Sequence, residues 1–297
     1  MRAVWSFWSS PYLAQSGRNW CTPLHHFLAW GLSLATAGRH YPDTVLITDS
    51  YGKKLLIDDL GLSFATVSTE LDSVRDADPV WWALGKLIAY TMQDRPFVHI
   101  DTDVFLWRPL PAELGDAPVF AQCPEYYPRA SHHAFHIANS FSAADTELPV
   151  EWQWAVSRDD GFIREENCGI LGGARIDFIR HYAQSAIDVM LSPDYSAGWS
   201  RSGIRSNMTM EQFFLSACAE YHRFHPTSPY RGVTVRHLFP SQGDAFDPAC
   251  SARAGYTHLL GDAKSSPAVA KRMEERVKRD DPAYFRRCEQ VARSIGA

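Results

Sequence analysis

The chain has no Cys-x-x-Cys pair and no Gly-x-Gly-x-x-Gly. Its six cysteines, Cys21, Cys123, Cys168, Cys218, Cys250 and Cys288, stand singly. That argues against a zinc or dithiol redox motif and favours reduced thiols in a cytoplasmic compartment. No apolar run approaches the ~18 residues of a membrane helix. The first ten residues lack the apolar core of a signal peptide and read as a first strand. Positive charge is not in excess either. A formal net charge of -5 gives no basic field for nucleic acid. With 45% hydrophobic and 21% charged residues, the composition is that of a globular chain with a sizeable core. Its 297 residues allow one large domain or two small ones.

What is present is an alternation of short β-branched runs and helical spacing. Residues 3–8 read as a strand and Pro23–Ala37 as a helix, with Leu24, Phe27, Leu28, Leu32 and Ala35 on one face. Thr44–Thr48 and 64–67 are further strands. Residues 79–92 read as a helix opened by Pro79, where a missing N–H costs little. Phe97–Ile100 is the next strand. This βα repetition predicts an α/β fold: a mostly parallel central sheet with helices on both faces. Residues 111–160 show weak periodicity and many Pro, Tyr, His and Ser, and read as an irregular functional loop or lid. Residues 210–221 are helical, and 233–239 and 256–260 strand-like. From about Ser266 two polar helices follow, broken at Asp280-Asp281-Pro282. Their eight Lys and Arg read as solvated faces, with an anionic membrane surface or a partner as the alternative contact.

Four segments carry chemistry. Phe97-Val-His-Ile-Asp-Thr-Asp103 drives an apolar strand into two carboxylates, Asp101 and Asp103. Open α/β sheets bind ligands at that carboxyl edge, and such a pair suits Mg²⁺ or Mn²⁺ with a substrate phosphate. In Tyr256-Thr-His-Leu-Leu-Gly-Asp-Ala-Lys264, His258 offers a nitrogen ligand, Gly261 a close backbone approach or positive φ, and Lys264 a point charge for phosphate. Asn167-Cys-Gly-Ile-Leu-Gly-Gly173 is either a tight strand entry or a small-residue shelf for a sugar, with Asn167 donating to hydroxyls. Met210-Glu-Gln-Phe-Phe214 is either a helix first turn or a placement of Glu211 or Gln212 beside a reacting carbon.

In this order the four segments resemble the GT-A glycosyltransferases, above all the glycogenin-like and bacterial galactosyltransferase-like retaining branch. Those enzymes show Asp-x-Asp, Asn-x-Gly, an acid-Gln helix start and His-x-x-Gly-x-x-Lys. The resemblance implies a GT-A, Rossmann-like catalytic domain over 1–265 and a helical tail over 266–297. It implies Mn²⁺ or Mg²⁺ held by Asp101, Asp103 and His258, with Gly261 and Lys264 holding the diphosphate of a nucleotide-sugar donor, UDP-sugar favoured. Lys86 would contact that donor, Trp8 to Tyr12 would face its base, and Asn167 and Gln212 would meet the sugar or the acceptor. Retention needs no strong protein base. Inversion would need one, and Glu211 is the candidate. The acceptor is left unnamed.

Other readings remain beside these. A nucleotidyltransferase would more often carry a basic Gly-rich loop where this chain has Trp8-Ser-Ser-Pro-Tyr12. A non-catalytic sugar-nucleotide-binding protein would tend to lose a metal ligand. Trp81-Trp82 read as core, and Trp152 and Trp154 as core or sugar-stacking rings. His132, His133 and His136 lack a carboxylate nearby in sequence and read as no metal cluster.

Overall fold

The computed structural model describes residues 1–14, 20–158 and 160–296. The rest of the expected domain and tail, residues 15–19, 159 and 297, lies outside the described residues. Among the described residues the strands are, in chain order, β1 (Arg2–Phe7), β2 (Thr44–Thr48), β3 (Thr66–Ser68), β4 (Phe97–Ile100), β5 (Val104–Leu106), β6 (Val119–Ala121), β7 (Pro124–Pro128), β8 (Phe162–Glu166), β9 (Ile170–Gly173), β10 (Val235–His237) and β11 (Tyr256–His258).

Seven of them form the central sheet, ordered β10-β6-β9-β4-β1-β2-β3. β1 runs parallel to β2 and to β4, β2 parallel to β3, and β6 parallel to β10. β9 alone opposes its neighbours β4 and β6. The architecture is therefore α/β with a mostly parallel sheet, as expected. Alternate residues of each strand enter two different cores. Val4, Val45, Ile47 and Phe97 join one, under helices Leu84–Thr91 and Ile176–Leu191. Ala3, Trp5, Leu46, Val98 and Ile100 join the other, under helix Pro23–Ala37 and the C-terminal helices Pro267–Asp280 and Pro282–Gly296. Both faces are covered, which is why β2 and β4 are buried along their whole length and read as continuous apolar runs.

The segment 111–160 is not irregular. It contains β6, β7, helix His133–Ser142 and helix Val150–Ser157. The helices are short and draw their burial from distant partners: Trp152 packs edge-on against Phe213 at 5.0 Å, and Phe141 against Trp199 at 4.9 Å. Trp152 is fully buried and so is core, not a sugar platform. His132 lies 2.9 Å from Glu165, so it does have a carboxylate partner, supplied by the β7–β8 ribbon.

The helix expected over 79–92 begins only at Leu84. Asn207 is the reason. Its side-chain oxygen accepts from the Ala83 N–H at 2.9 Å and its amide donates to the Val80 carbonyl at 2.8 Å, holding this stretch as turns. Trp81 is core against Trp199, whereas Trp82 reaches the surface.

The C-terminal helices are polar outside and apolar inside. Met273, Val277, Phe285 and Cys288 belong to the same core as Trp5 and Phe27. The Tyr284 hydroxyl donates to the Phe27 carbonyl at 2.6 Å, and a Cβ on Gly31 would overlap the Tyr284 ring. Gly31 thus makes room for the tail to dock. Tyr284→Ala should cost about 3–5 kcal/mol of unfolding free energy in a urea titration, because the ring leaves a cavity. A change near zero would mean that the tail is a separable appendage.

Candidate functional site

β1 sits between β2 and β4. From β1 the chain crosses to β2 and β3 on one side, then returns to β4 on the other. Two parallel neighbours whose connections leave in opposite directions create a crevice at their carboxyl ends, the usual ligand position in open α/β sheets. A cleft of about 210 Å³ lies there. Its walls are Ser6, Phe7 and Trp8 from the end of β1 and His99 to Asp103 from the end of β4. Gly85 and Lys86 of helix Leu84–Thr91 close one side, with Tyr12, Trp20, His26, Trp82 and Lys264 around the mouth.

The β1 exit is clamped. Asp49 accepts from the Ser9 N–H at 2.6 Å and the Gly52 N–H at 2.7 Å, so one carboxylate ties the turn after β1 to the turn after β2. This fixes Trp8. Its indole N–H is buried and has no hydrogen-bond partner among the described residues. A buried donor without a partner costs free energy, and a ligand acceptor in the cleft would repay it.

The two aspartates have different surroundings. Asp101 is gripped by Lys86 at 2.9 Å. The same ammonium meets the fully buried Glu211 at 2.6 Å and the Cys168 carbonyl at 3.2 Å. Burial works against the Lys86 charge, but Asp101 and Glu211 outweigh it and hold its pKa above the ordinary range. Burial pushes the Glu211 carboxyl up, with Lys86 opposing, and likewise that of Asp101, where Asp103 adds to the rise. Asp103 is buried too, yet His258 and Lys264 overcome burial and hold its carboxyl well below the usual range. Lys264 Nζ lies 2.5 Å from Asp103, across β5 and β11, which pair His258 with Val104.

His258 is oriented by a residue that sequence reasoning missed. Gln122 Oε1 accepts from the Tyr256 hydroxyl and faces His258 Nδ1, each at 2.6 Å. An oxygen that takes both bonds fixes the proton on Nδ1. Nε2 then faces Asp103 Oδ1 at 3.5 Å. Asp101, Asp103 and His258 each present a ligand atom, all within 4.8 Å of one another. Two carboxylates and an imidazole nitrogen this close together are a ligand set that suits a divalent cation, and the second partner on Nδ1 is what metal-bound imidazoles ordinarily have. The sequence signal for Gln122 is the one seen at Asp101: a polar side chain just after a buried apolar strand.

Gly169 completes this corner. A Cβ there would stand 2.5 Å from Gln122 Oε1 and from His258 Nδ1. Gly261 takes φ +51 with open space around it, so its glycine serves the turn and not a close protein contact.

Asn167, Glu211, Gln212, His258 and Gly261 are not among the cleft-lining residues; His258 reaches the site from behind Asp103. Asn167 is buried, its amide donating to Glu125 at 2.8 Å and its oxygen accepting from the Gly169 N–H at 3.1 Å. Glu211 also accepts from the Tyr90 hydroxyl at 2.9 Å. Gln212 sits in a wide π turn, Thr209–Phe213, that precedes helix Phe214–Phe224, and its side-chain oxygen is buried without a partner. Cleft residues that the sequence did not single out include Trp20, His26 and His99, and Trp82, read there as core, instead lines the cleft.

Removing Lys86 leaves two buried carboxylates without a counter-charge. Lys86→Met should destabilise the protein by about 3–5 kcal/mol, and adding Glu211→Gln should recover part of that loss. Chemical denaturation of the two variants checks the coupling; additive losses would contradict it.

Comparison with curated proteins gives no match. Among solved structures, the chain is similar to the crystal structure of the galactosyltransferase LgtC in complex with donor and acceptor sugar analogues. The TM-score is 0.43 at 13% identity, over 93% of this chain and 94% of that one. Residues 1–291 match the sequence profile of a family of unknown function, DUF6734, and the chain belongs to that family.

Proposed function

We propose that this chain is a metal-dependent glycosyltransferase of GT-A type, moving a sugar from a nucleoside diphosphate sugar, UDP-sugar favoured, to an acceptor with retention. One observation carries the reading. The switch-point cleft is lined by the carboxylate pair, Lys86, Lys264 and an aromatic wall with an unpartnered donor, and the His258 imidazole stands directly beside the pair.

Asp101, Asp103 and His258 Nε2 are the residues that would hold Mn²⁺ or Mg²⁺, the imidazole favouring Mn²⁺. A divalent cation bound there supplies Lewis-acid neutralisation of the charge that develops on a leaving diphosphate. Lys264 adds its own positive charge beside Asp103, and Gly261 shapes the turn that brings it there. Trp8 and Tyr12 form the wall for the nucleobase, and the Trp8 N–H is free to donate to it. Lys86 opposes the upward push of burial on the Asp101 carboxyl and aims it, while leaving Glu211 in place behind it.

Glu211 is fully buried and already engaged by Lys86 and Tyr90. A general base must reach the acceptor hydroxyl. Its enclosure therefore favours retention, in which the departing phosphate can take the acceptor proton. Gln212 and Asn167 act from behind the cleft in this reading, positioning the wall near the sugar. Residues 1–265 would form the catalytic domain, with 266–297 packed on it.

The decisive assay incubates the full chain with a panel of UDP- and GDP-sugars and Mn²⁺ and follows donor hydrolysis. At least one donor should turn over, and Asp103→Asn should lower that rate on the order of 10²-fold or more. Turnover of no donor, with no binding of the nucleotide diphosphates, would sink the proposal. Gln122→Leu should raise the Mn²⁺ concentration for half-maximal turnover by roughly 10–100-fold, because it releases His258 Nδ1. An unchanged titration would remove Gln122 from the site.

A further inference from the structure

Outside the cleft, three helices bring Glu151, His181 and His222 to one point. Glu151 lies on helix Val150–Ser157, His181 on Ile176–Leu191 and His222 on Phe214–Phe224. Each presents one ligand atom, and the group was not legible in the sequence, where its members are far apart.

The spacing is the informative part. Both imidazole Nε2 atoms are 3.1 Å from the same oxygen, Glu151 Oε1, and 3.2 Å from each other. Three atoms at the corners of a nearly equilateral triangle of this size match the edge of a tetrahedron around a zinc ion, about 3.3 Å for bonds of about 2.0 Å. Hydrogen bonding alone serves the triangle poorly. It would aim two N–H groups, their nitrogens in contact, at one oxygen.

The surroundings agree. His222 Nδ1 is 2.7 Å from Ser228 Oγ, which accepts from the Tyr230 N–H at 3.0 Å. A hydroxyl oxygen has a second lone pair and can take the Nδ1 proton, which leaves Nε2 bare. That is the outer partner a metal-bound imidazole ordinarily has. The His181 ring stacks on Tyr230 with centroids 4.9 Å apart and stays partly exposed, so an ion and a water can enter from solvent.

We infer that Glu151, His181 and His222 form a second metal site, a two-histidine, one-carboxylate centre for Zn²⁺ with its fourth position open to water. Two imidazoles and one carboxylate suit Zn²⁺ better than Mg²⁺, whereas the cleft has the oxygen-rich set. The site pins the three helices behind the Glu211 segment. Trp152 from the first packs on Phe213, and the Tyr182 hydroxyl from the second donates to the Glu211 carbonyl at 2.6 Å. An ion there braces the wall on which Glu211 sits.

The test uses the full chain carrying Asp103→Asn, which disables the cleft set and leaves this one. The protein is stripped with a chelator, then titrated with Co²⁺ as a visible probe and back-titrated with Zn²⁺. One Co²⁺ should bind per chain with the intense visible bands of a four-coordinate centre, Zn²⁺ should displace it, and Zn²⁺ but not Mg²⁺ should raise the melting temperature. His181→Gln, at a partly exposed position, should keep the circular-dichroism spectrum and lose the cobalt bands. Glu151→Gln gives a second arm with the same expected loss. Absence of stoichiometric Co²⁺ and Zn²⁺ uptake in the Asp103→Asn chain, or uptake unchanged by His181→Gln, would overturn the site. Neither result depends on sugar transfer, so failure here leaves the cleft reading untouched.

Discussion

Lys86 holds one positive charge where two carboxylates need it. Asp101 ends β4 at the floor of the cleft, and Glu211 enters from the opposite core on the π turn before helix Phe214–Phe224. Burial pushes both carboxyls upward, and Lys86 opposes that rise. A lysine on helix Leu84–Thr91 reaches both, and so couples a strand end, a helix and a distant turn. Such a buried triad adds little net stability, because desolvation offsets its attraction. What it supplies is position. Asp101 is held facing the cleft, beside Asp103 and His258.

That position matters because of the strand order. β1 and β4 are neighbours whose connections depart to opposite sides, so their ends open a crevice that no crossover covers. Each wall is then fixed by one polar side chain from the core. Asp49 ties down the turn that carries Trp8, Lys86 fixes Asp101, and Gln122 fixes His258. Glycines stand where a side chain would break the arrangement. Gly169 leaves room for Gln122 and His258, and Gly85 lets its helix approach the Trp8 backbone. The aromatic and charged sides of the cleft are thus built from different elements and held by independent bonds.

The legible parts were those that local rules decide. Pro23–Ala37, Thr44–Thr48 and Phe97–Ile100 were read with their observed ends, because buried parallel strands are continuous apolar runs and the long helix has a clear apolar face. The Asp-x-Asp at the end of β4 and the His-x-x-Gly-x-x-Lys after β11 were visible for the same reason. The misreadings lie where a distant residue decides. Asn207 delays a helix that Pro79 alone would open. The 111–160 segment folds because Phe213 and Trp199, far along the chain, cover its short helices. Gln122 acquires meaning only when β6 and β11 bring it to His258. Trp152 sits in a pattern that fits either core or surface, and only packing separates the two.

The central claim is that the carboxylates after β4 and the imidazole at the end of β11 form one metal-assisted diphosphate site. The most direct measurement is a crystal of the full chain grown with Mn²⁺ and UDP, with anomalous diffraction locating the metal. The account predicts a manganese peak bonded to Asp101, Asp103 and His258 Nε2, the diphosphate reaching Lys264, and the uracil against Trp8. Manganese or nucleotide bound away from the switch-point cleft, or a cleft that stays empty at saturating ligand, would contradict it.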